Sequence, residues 1–222
     1  MNFEYVDIEE VLAHEGGTLL YCGAQGRIVQ ALKGGAVLTD IEDEELLLAQ
    51  MRKLKPQGHD LFCVHNERAA DALARAFALK ERMPCAQWVY TGKEPPQAHG
   101  YDIRPLPPQL VPAAAAHYHL VDDSEAYFAA CVAEGKLWGA FRQGRLAGFV
   151  GLHNEGSIGM LEVFADSRRL GIGYCLEAFV IGYCLKKGRT PYAQVVKGNE
   201  ASMALQKKLG MQQCKKPAIW LY

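Results

Sequence analysis

A short segment containing arginine and glycine in the second half of the chain has the composition of an anion-binding turn. It reads Arg168-x-x-Gly171-x-Gly173, and a predicted helix from Tyr174 to Lys187 follows it. Backbone N–H groups at a helix start have no partner within the helix, and the helix dipole adds positive potential, so such a turn can hold a phosphate. Arg168 and Arg169 add guanidinium groups whose planar fork suits phosphate oxygens. The alternative is a structural turn with solvated arginines.

The elements that must position this turn can be predicted from the pattern around it. A strand from Met160 to Phe164 precedes it, and the helix after it is apolar over most of its surface, as expected of a helix packed between layers. A second strand, Tyr192 to Lys197, and a helix opened by Asn199 follow. A nucleotide-triphosphate loop is less well supported, because no Walker lysine follows the glycines.

The same order of elements occurs twice in the chain. In each half a Gln-Gly-Arg hairpin turn enters a strand, an asparagine opens a later helix, and a strand with a cysteine and aromatic residues closes the copy. The paired markers are Gly26 and Gly144 in the turns, Asn66 and Asn199 at the helix starts, and Cys85 and Cys214 in the closing strands. The pattern predicts two related lobes.

The two copies differ where the anion-binding turn lies. From Gly26 to Asn66 is 40 positions, whereas from Gly144 to Asn199 is 55. The first copy has the acidic segment Thr39 to Leu46 at this place, and carboxylates at a helix start suit the dipole but repel a phosphate. Only the second copy is therefore predicted to receive an anion.

A polar stretch from Thr91 to Gly100 separates the copies. Its adjacent prolines, Pro95 and Pro96, exclude helix, and its glycines suit turns. The domains predicted from it are residues 1–95, a degenerate N-terminal lobe, and residues 100–222, which carry the anion site.

Composition describes a folded protein and excludes some partners. Of 222 residues 50% are hydrophobic and 22% are charged, and the net charge of -1 supplies no field for nucleic acid or an anionic membrane. No apolar run reaches the roughly 20 residues of a membrane span, and the start, Met1 to Tyr5, lacks the order of a signal peptide. A cytoplasmic location is predicted.

The seven cysteines are scattered without a CxxC pair. This odd count and spacing favour buried thiols in a reducing compartment over a disulfide framework, and most surroundings are apolar enough to keep a thiol inert. Neither a catalytic cysteine nor a metal site is predicted.

Four motifs together resemble the GNAT superfamily of N-acyltransferases over residues 101–222. They are Leu161-x-Val163, Arg168-x-x-Gly171-x-Gly173, Asn199-x-x-Ser202-x-x-Leu205 and Leu209-Gly210-Met211. The two-lobe layout is similar to that of glycine N-acyltransferase-like proteins. The resemblance implies an α/β (α+β) fold, with a mixed, mostly antiparallel sheet flanked by helices, in which a degenerate GNAT-like lobe precedes a working one.

The resemblance also implies a cofactor site. Acetyl-CoA or another short acyl-CoA would be the cosubstrate, with its pantetheine arm between two diverging strands and its diphosphate at the glycine turn. The residues expected to bind it are Leu161, Glu162, Val163, Arg168, Arg169, Leu170, Gly171, Ile172, Gly173 and Asn199.

The family reaction is direct attack of a primary amine on the thioester, without a metal. The acceptor would be a small-molecule amine, a peptide N-terminus or a lysine, and a homodimer is left open. Glu162 ranks first as the base, directly or through water, with His153 and Glu155 behind it. Pairing with Arg168 or Arg169 is an equally good reason for that glutamate.

The general acid is the weak part of the match. Where the family often has a tyrosine, this chain has Gln206. Tyr183 and Tyr192 are substitutes only if the fold brings them close, and a packed aromatic with a satisfied hydroxyl is the favoured interpretation of each. A non-catalytic acyl-CoA-binding sensor or partner module therefore stays open. A further segment, containing His117, Tyr118 and His119, either covers the acceptor or is a solvated helix end.

Overall fold

The computed structural model describes residues 3–32, 35–54, 61–98, 100–118 and 123–222. Its helices are α1 Val6–His14, α2 Glu44–Leu54, α3 Glu67–Phe77, α4 Val111–Ala115, α5 Ser124–Ala133, α6 Ile172–Lys186 and α7 Glu200–Lys208. Its strands are β1 Thr18–Gly23, β2 Gly26–Gln30, β3 Val37–Thr39, β4 Phe62–Val64, β5 Arg82–Val89, β6 Asp102–Pro105, β7 Leu137–Arg142, β8 Arg145–Leu152, β9 Ile158–Val163, β10 Tyr192–Val196 and β11 Gln212–Leu221. Among the described residues, 91–98 contain neither helix nor strand, as predicted from the prolines.

All of these strands join one sheet in the order β1-β2-β3-β4-β11-β5-β10-β9-β8-β7-β6. Two neighbouring pairs are parallel, β3 with β4 and β9 with β10, and they occupy equivalent places in the two copies. The other pairs are antiparallel. The predicted mixed, mostly antiparallel sheet flanked by helices is confirmed.

The two copies exchange their closing strands. Strand β11, the last of the second copy, pairs with β4 of the first, and β5, the last of the first copy, pairs with β10 of the second. Strands β5 and β11 pair with each other in antiparallel register at the centre of the sheet. Each copy therefore completes the other, so both inner edges are covered by hydrogen-bonded strands. The boundary near residue 95 stays a prediction.

The helix caps and hairpin turns predicted from short sequence motifs are present in the structure. The side chains of Asn66 and Asn199 cap α3 and α7, accepting hydrogen bonds from the backbone N–H groups of Ala69 at 2.8 Å and Ser202 at 3.1 Å. Hairpin turns precede Gly26 and join β7 to β8 around Gly144. The acidic residues of the first copy open α2, as predicted.

The second copy has a separate core on each face of its sheet. Helix α6 packs on one face, where Leu176, Val180 and Ile181 are fully buried. Helices α4 and α5 cover the other face around Phe128 and Phe149. Side chains along β9 therefore alternate between a face under α6 and a face under α4 and α5.

All seven cysteines lie within the described residues and are free thiols, and five of them are buried. Burial raises the pKa of the Cys85 and Cys184 thiols to about 12, as expected for inert core thiols. No helix in the described part of the chain combines the length and the apolar character needed to cross a membrane.

Candidate functional site

The parallel strands β9 and β10 separate soon after they meet. They pair only at Ile158 and Ala193, close to the start of each strand. The equivalent strands of the first copy, β3 and β4, pair at three successive positions, from Val37 with Phe62 to Thr39 with Val64. A gap therefore opens between β9 and β10 toward their carboxyl ends, whereas the first copy is closed at the same place.

A β-bulge shapes the strand that borders this gap. Met160 has a φ of 52°, and the register between β8 and β9 shifts between Phe149 and Gly151. Beyond the bulge the Phe164 N–H donates to the Ala147 carbonyl on β8 at 3.0 Å. Because backbone groups alternate along a strand, the N–H and C=O of Val163 point away from β8, toward the gap.

The predicted phosphate turn lies at the mouth of the gap. After the short 3-10 helix Ala165–Ser167, Arg169 has a φ of 65° and Gly171 a φ of 83°, and α6 begins at Ile172. A Cβ at Gly171 would meet nothing within 4 Å, so the approach to the first N–H groups of α6 is open. The Tyr101 hydroxyl, which sequence reasoning did not single out, donates to the Leu170 carbonyl at 2.6 Å and holds the turn from the residue just before β6.

Gly173 lies against the wall of the gap. A Cβ there would lie 3.6 Å from Val163, 3.7 Å from Leu205 and 3.8 Å from Leu161. These side chains of β9 and α7 form an apolar floor that runs up to the helix start. Ile172, in contrast, is buried in the core beneath the turn and presents only its backbone.

Arg168 folds back onto β9. Its Nη2 lies 3.0 Å from Glu162 Oε1, and its Nε donates to the Val163 carbonyl at 3.0 Å. The ion pair that the sequence offered as an alternative to catalysis is therefore present, between two side chains that keep 61% and 28% of their surface exposed. Arg169 and Leu170 are exposed at the turn.

Asn199 follows β10 and so lies on the other side of the gap. Its side chain is exposed, but its oxygen is already bonded to the Ser202 N–H as the cap of α7. The structure thus places every predicted cofactor residue around the gap or the turn, with Ile172 and Asn199 serving chiefly the fold.

The two alternative bases lie at the far end of β9. The ring of His153 packs against Gly159, and its Nδ1 is 2.9 Å from the Tyr127 hydroxyl. Glu155 accepts a hydrogen bond from Ser157 in the β8–β9 turn. Gly159 and Val163 are four positions apart along the strand, a distance of roughly 13 Å. Glu162 is the candidate base closest to the gap.

The candidate acids are all engaged in packing. Tyr192 is fully buried and donates to the Glu155 carbonyl at 2.7 Å, and the Tyr183 ring contacts Trp138 at 4.8 Å between centroids. Gln206 is 1% exposed and donates to both carboxylate oxygens of Glu177, at 3.1 and 2.8 Å. Gln206, which stands where the family often has a tyrosine, is therefore packed between α6 and α7.

Glu177 is a buried carboxyl that sequence reasoning missed. Desolvation raises its pKa to about 7, although the hydrogen bond from Gln206 opposes that shift. A charged residue within the apolar pattern of α6 was the available signal, but its partner lies 29 positions away and could not be identified.

The segment after α4 reaches the other face of β9. The exposed His117 ring stacks on Phe164 with 4.4 Å between centroids, and Tyr118 is buried. His119 lies outside the described residues. Glu162 alternates with Leu161 and Val163 along β9, so it lies on the same face as Phe164, under α4 and α5.

Comparison with known proteins agrees with this arrangement. The family model described as FR47-like protein matches residues 138–221, and no curated protein matches the chain in sequence. A Drosophila protein of known structure superposes with a TM-score of 0.68 at 18% identity, covering 100% of this chain and 90% of the other. A GCN5-related N-acetyltransferase from Kribbella flavida superposes at 0.59 with 13% identity, covering 98% and 93%. A tandem GNAT protein from the clavulanic acid biosynthesis pathway gives 0.50 and 16%, covering 98% and 87%.

The chain has the fold of the GNAT proteins that superpose on it, with a gap between its parallel strands β9 and β10. The resemblance to that superfamily is confirmed, and the chain carries the GNAT fold in a tandem arrangement.

Proposed function

We propose that the chain is an acyl-CoA-dependent N-acyltransferase whose second copy binds the cofactor. The observation that carries the proposal is the contrast between the two parallel strand pairs. Strands β9 and β10 diverge after one paired position, whereas β3 and β4 stay paired along their length. An extended pantetheine arm needs such an opening, with strand backbone on its walls to hydrogen-bond its amides.

Acetyl-CoA or another short acyl-CoA is the proposed cosubstrate. Its diphosphate would meet the N–H groups at the start of α6, with Arg169 beside it, and its thioester would lie near Val163. The Val163 N–H points into the gap and would polarise the thioester carbonyl, stabilising the negative charge that develops on its oxygen. None of these steps requires a metal.

The acceptor amine is proposed to enter from the face under α4 and α5. Glu162 lies on that face, where it would accept the ammonium proton directly or through a water molecule. Arg168 holds the carboxylate by its 3.0 Å contact. His117, exposed beside Phe164, would border the entrance. A small-molecule amine, a peptide N-terminus or a lysine fits this description.

A binding module without turnover is the second candidate. It is favoured by one observation, namely that Gln206 is buried against Glu177 and leaves no acid at the family position. In the enzyme, Glu162 takes the first ammonium proton, and the departing thiolate would take its proton from water or from the positively charged nitrogen that forms when the amine attacks the thioester.

We propose that the protein is located in the cytoplasm, since all seven of its thiols are free.

The first experiment tests whether a negative charge introduced at the turn weakens the binding of acetyl-CoA. Leu170 is 45% exposed, so Leu170→Glu and Leu170→Gln introduce side chains of equal size that differ only in charge. A carboxylate near a diphosphate costs about 1–2 kcal/mol at this exposure, so we expect roughly five- to thirtyfold weaker acetyl-CoA binding for the Glu variant than for the Gln variant. ATP serves as the control ligand in the same thermal-shift assay. If both variants bind acetyl-CoA with equal affinity, the diphosphate does not bind at this turn.

The second experiment separates enzyme from sensor. Thiol release from acetyl-CoA is followed with a panel of amines and polyamines. Release that depends on both amine and protein supports the enzyme, whereas binding without release for every amine supports the sensor.

A further inference from the structure

A buried group of three side chains with metal-binding chemistry lies apart from the gap. Asp7 is in the first turn of α1, Cys63 is in β4 and His65 follows β4 directly. Their exposed fractions are 0%, 0% and 1%. One ligand atom from each lies within 4.8 Å of the other two. Buried polar groups are costly unless they are satisfied, so this cluster requires an explanation.

The geometry around His65 leaves one ring nitrogen without a partner. Its Nδ1 lies 2.9 Å from the Pro217 carbonyl, which can only accept, so Nδ1 carries the hydrogen. Its Nε2 makes no hydrogen bond to the described residues, although it lies 3.4 Å from Asp7 Oδ1. In a neutral ring, Nε2 therefore directs its lone pair toward a carboxylate oxygen, and a positive charge is needed between them.

The other two members complete a donor set. The Asp7 carboxylate accepts from the Ile8 N–H at 2.9 Å and from the Gln194 amide at 3.2 Å, both neutral donors. Cys63 Sγ lies 3.5 Å from Asp7 Oδ2. Thiolate, imidazole and carboxylate together are ligands of Zn²⁺ and Co²⁺ rather than of Mg²⁺ or Ca²⁺.

We infer that Asp7, Cys63 and His65 bind a zinc ion in the core of the first copy, under α1. Zinc bonds of about 2.0–2.3 Å in a tetrahedron place nitrogen and oxygen ligands about 3.4 Å apart, and sulfur and oxygen ligands about 3.6 Å apart. The structure has 3.4 Å from His65 Nε2 to Asp7 Oδ1 and 3.5 Å from Cys63 Sγ to Asp7 Oδ2, so each of the two carboxylate oxygens lies at ligand spacing from one of the other two groups. The Pro217 carbonyl orients the imidazole, as outer-shell groups do in metal sites.

Charge balance supports the same ion. Binding displaces the Cys63 thiol proton to solvent, so the thiolate and the Asp7 carboxylate together neutralise the divalent cation beside a neutral imidazole. No net charge is then buried. Three protein ligands leave the fourth tetrahedral position to water or another small ligand.

The position of the site indicates a structural role. The ion would tie α1 to β4 directly. Through Pro217 on β11 and Gln194 on β10, it would also reach the strands involved in the exchange between the copies. Metal binding should therefore stabilise the fold without touching the gap. Residues 56 positions apart and without CxxC spacing supply the ligands, which is why the sequence predicted no metal.

The test is a Co²⁺ titration of the full chain after treatment with a chelator, followed by the thiolate-to-cobalt charge-transfer absorption. We expect saturation at one ion per chain, displacement by Zn²⁺ and a higher melting temperature with either metal. Cys63→Ala should abolish the absorption. Cys184→Ala, which removes another buried thiol from α6, should keep it.

Two measurements could overturn the inference. The first is the cobalt absorption, if it is absent from the unaltered chain or equally strong in Cys63→Ala. The other applies even where Cys63→Ala fails to fold. If NMR of the unaltered chain at pH 8 shows the His65 imidazole carrying both protons and unchanged by added Zn²⁺, the cluster is an Asp7–His65 ion pair.

Discussion

The buried pair of Glu177 and Gln206 makes the stability of this fold depend on pH. Glu177 is 3% exposed, and burial raises its pKa from 4.5 to about 7. A carboxyl with a higher pKa in the folded chain than in the unfolded chain binds protons preferentially when folded. Its contribution to stability is therefore fully present below pH 4.5 and is lost as the pH rises toward 7.

Glu177→Gln should remove this dependence. The new amide keeps the size of the side chain, and it can donate to Gln206 Oε1, which is buried without a hydrogen-bond partner in the described residues. With 1.36 kcal/mol per pKa unit, the raised pKa of Glu177 lowers the stability of the folded chain by about 1 kcal/mol at pH 5.5 and by about 3 kcal/mol at pH 8, relative to its stability at low pH. The variant should therefore gain about 2 kcal/mol over the unaltered chain between these two pH values.

Urea unfolding at pH 5.5 and pH 8 measures the effect. In a chain of this length, 2 kcal/mol corresponds to roughly 4–8 °C in melting temperature, so thermal scans provide a second measurement. Glu81→Gln is the control, because Glu81 is exposed and its loss of charge should change stability by less than about 0.5 kcal/mol at either pH. A difference between variant and unaltered chain that is the same at both pH values, or a variant less stable at pH 8, would refute the reasoning.

Three further predictions concern the gap. Gly173→Ala should raise stability by about 0.5–1 kcal/mol, because its Cβ fits at 3.6 Å from Val163 and alanine favours helix, yet thermal shift should show weaker acetyl-CoA binding. Glu162→Gln should lower the rate of thiol release about a hundredfold and leave acetyl-CoA binding unchanged. The control is Asp166→Asn, at an exposed residue, which should change neither the rate nor the binding. An equal loss of rate in both variants would show that Glu162 is not the base. Asn66→Ala and Asn199→Ala should each lower the free energy of unfolding by about 1 kcal/mol, because each removes a helix cap. Only Asn199→Ala should also weaken acetyl-CoA binding. Equal binding by both variants would place Asn199 outside the site.

The sequence by itself determined the local parts of this protein. Asn66 and Asn199 cap helices, the Gln-Gly-Arg segments form hairpin turns, and residues 91–98 stay free of helix and strand. Each of these features depends on residues within three or four positions, where capping, turn chemistry and proline geometry act. The contrast between acids in one copy and arginines in the other was visible for the same reason.

Only the tertiary structure decided how these parts meet. The exchange of β5 and β11 joins strands more than 100 positions apart, and local propensity carries no information about such a partner. The single paired position that opens the gap, the contact of Gln206 with Glu177, and the cluster of Asp7, Cys63 and His65 likewise arise from packing. These contacts form only when the folded sheet brings residues that are far apart in the chain within a few ångströms of each other. Their hydrogen bonds and their burial therefore depend on tertiary packing.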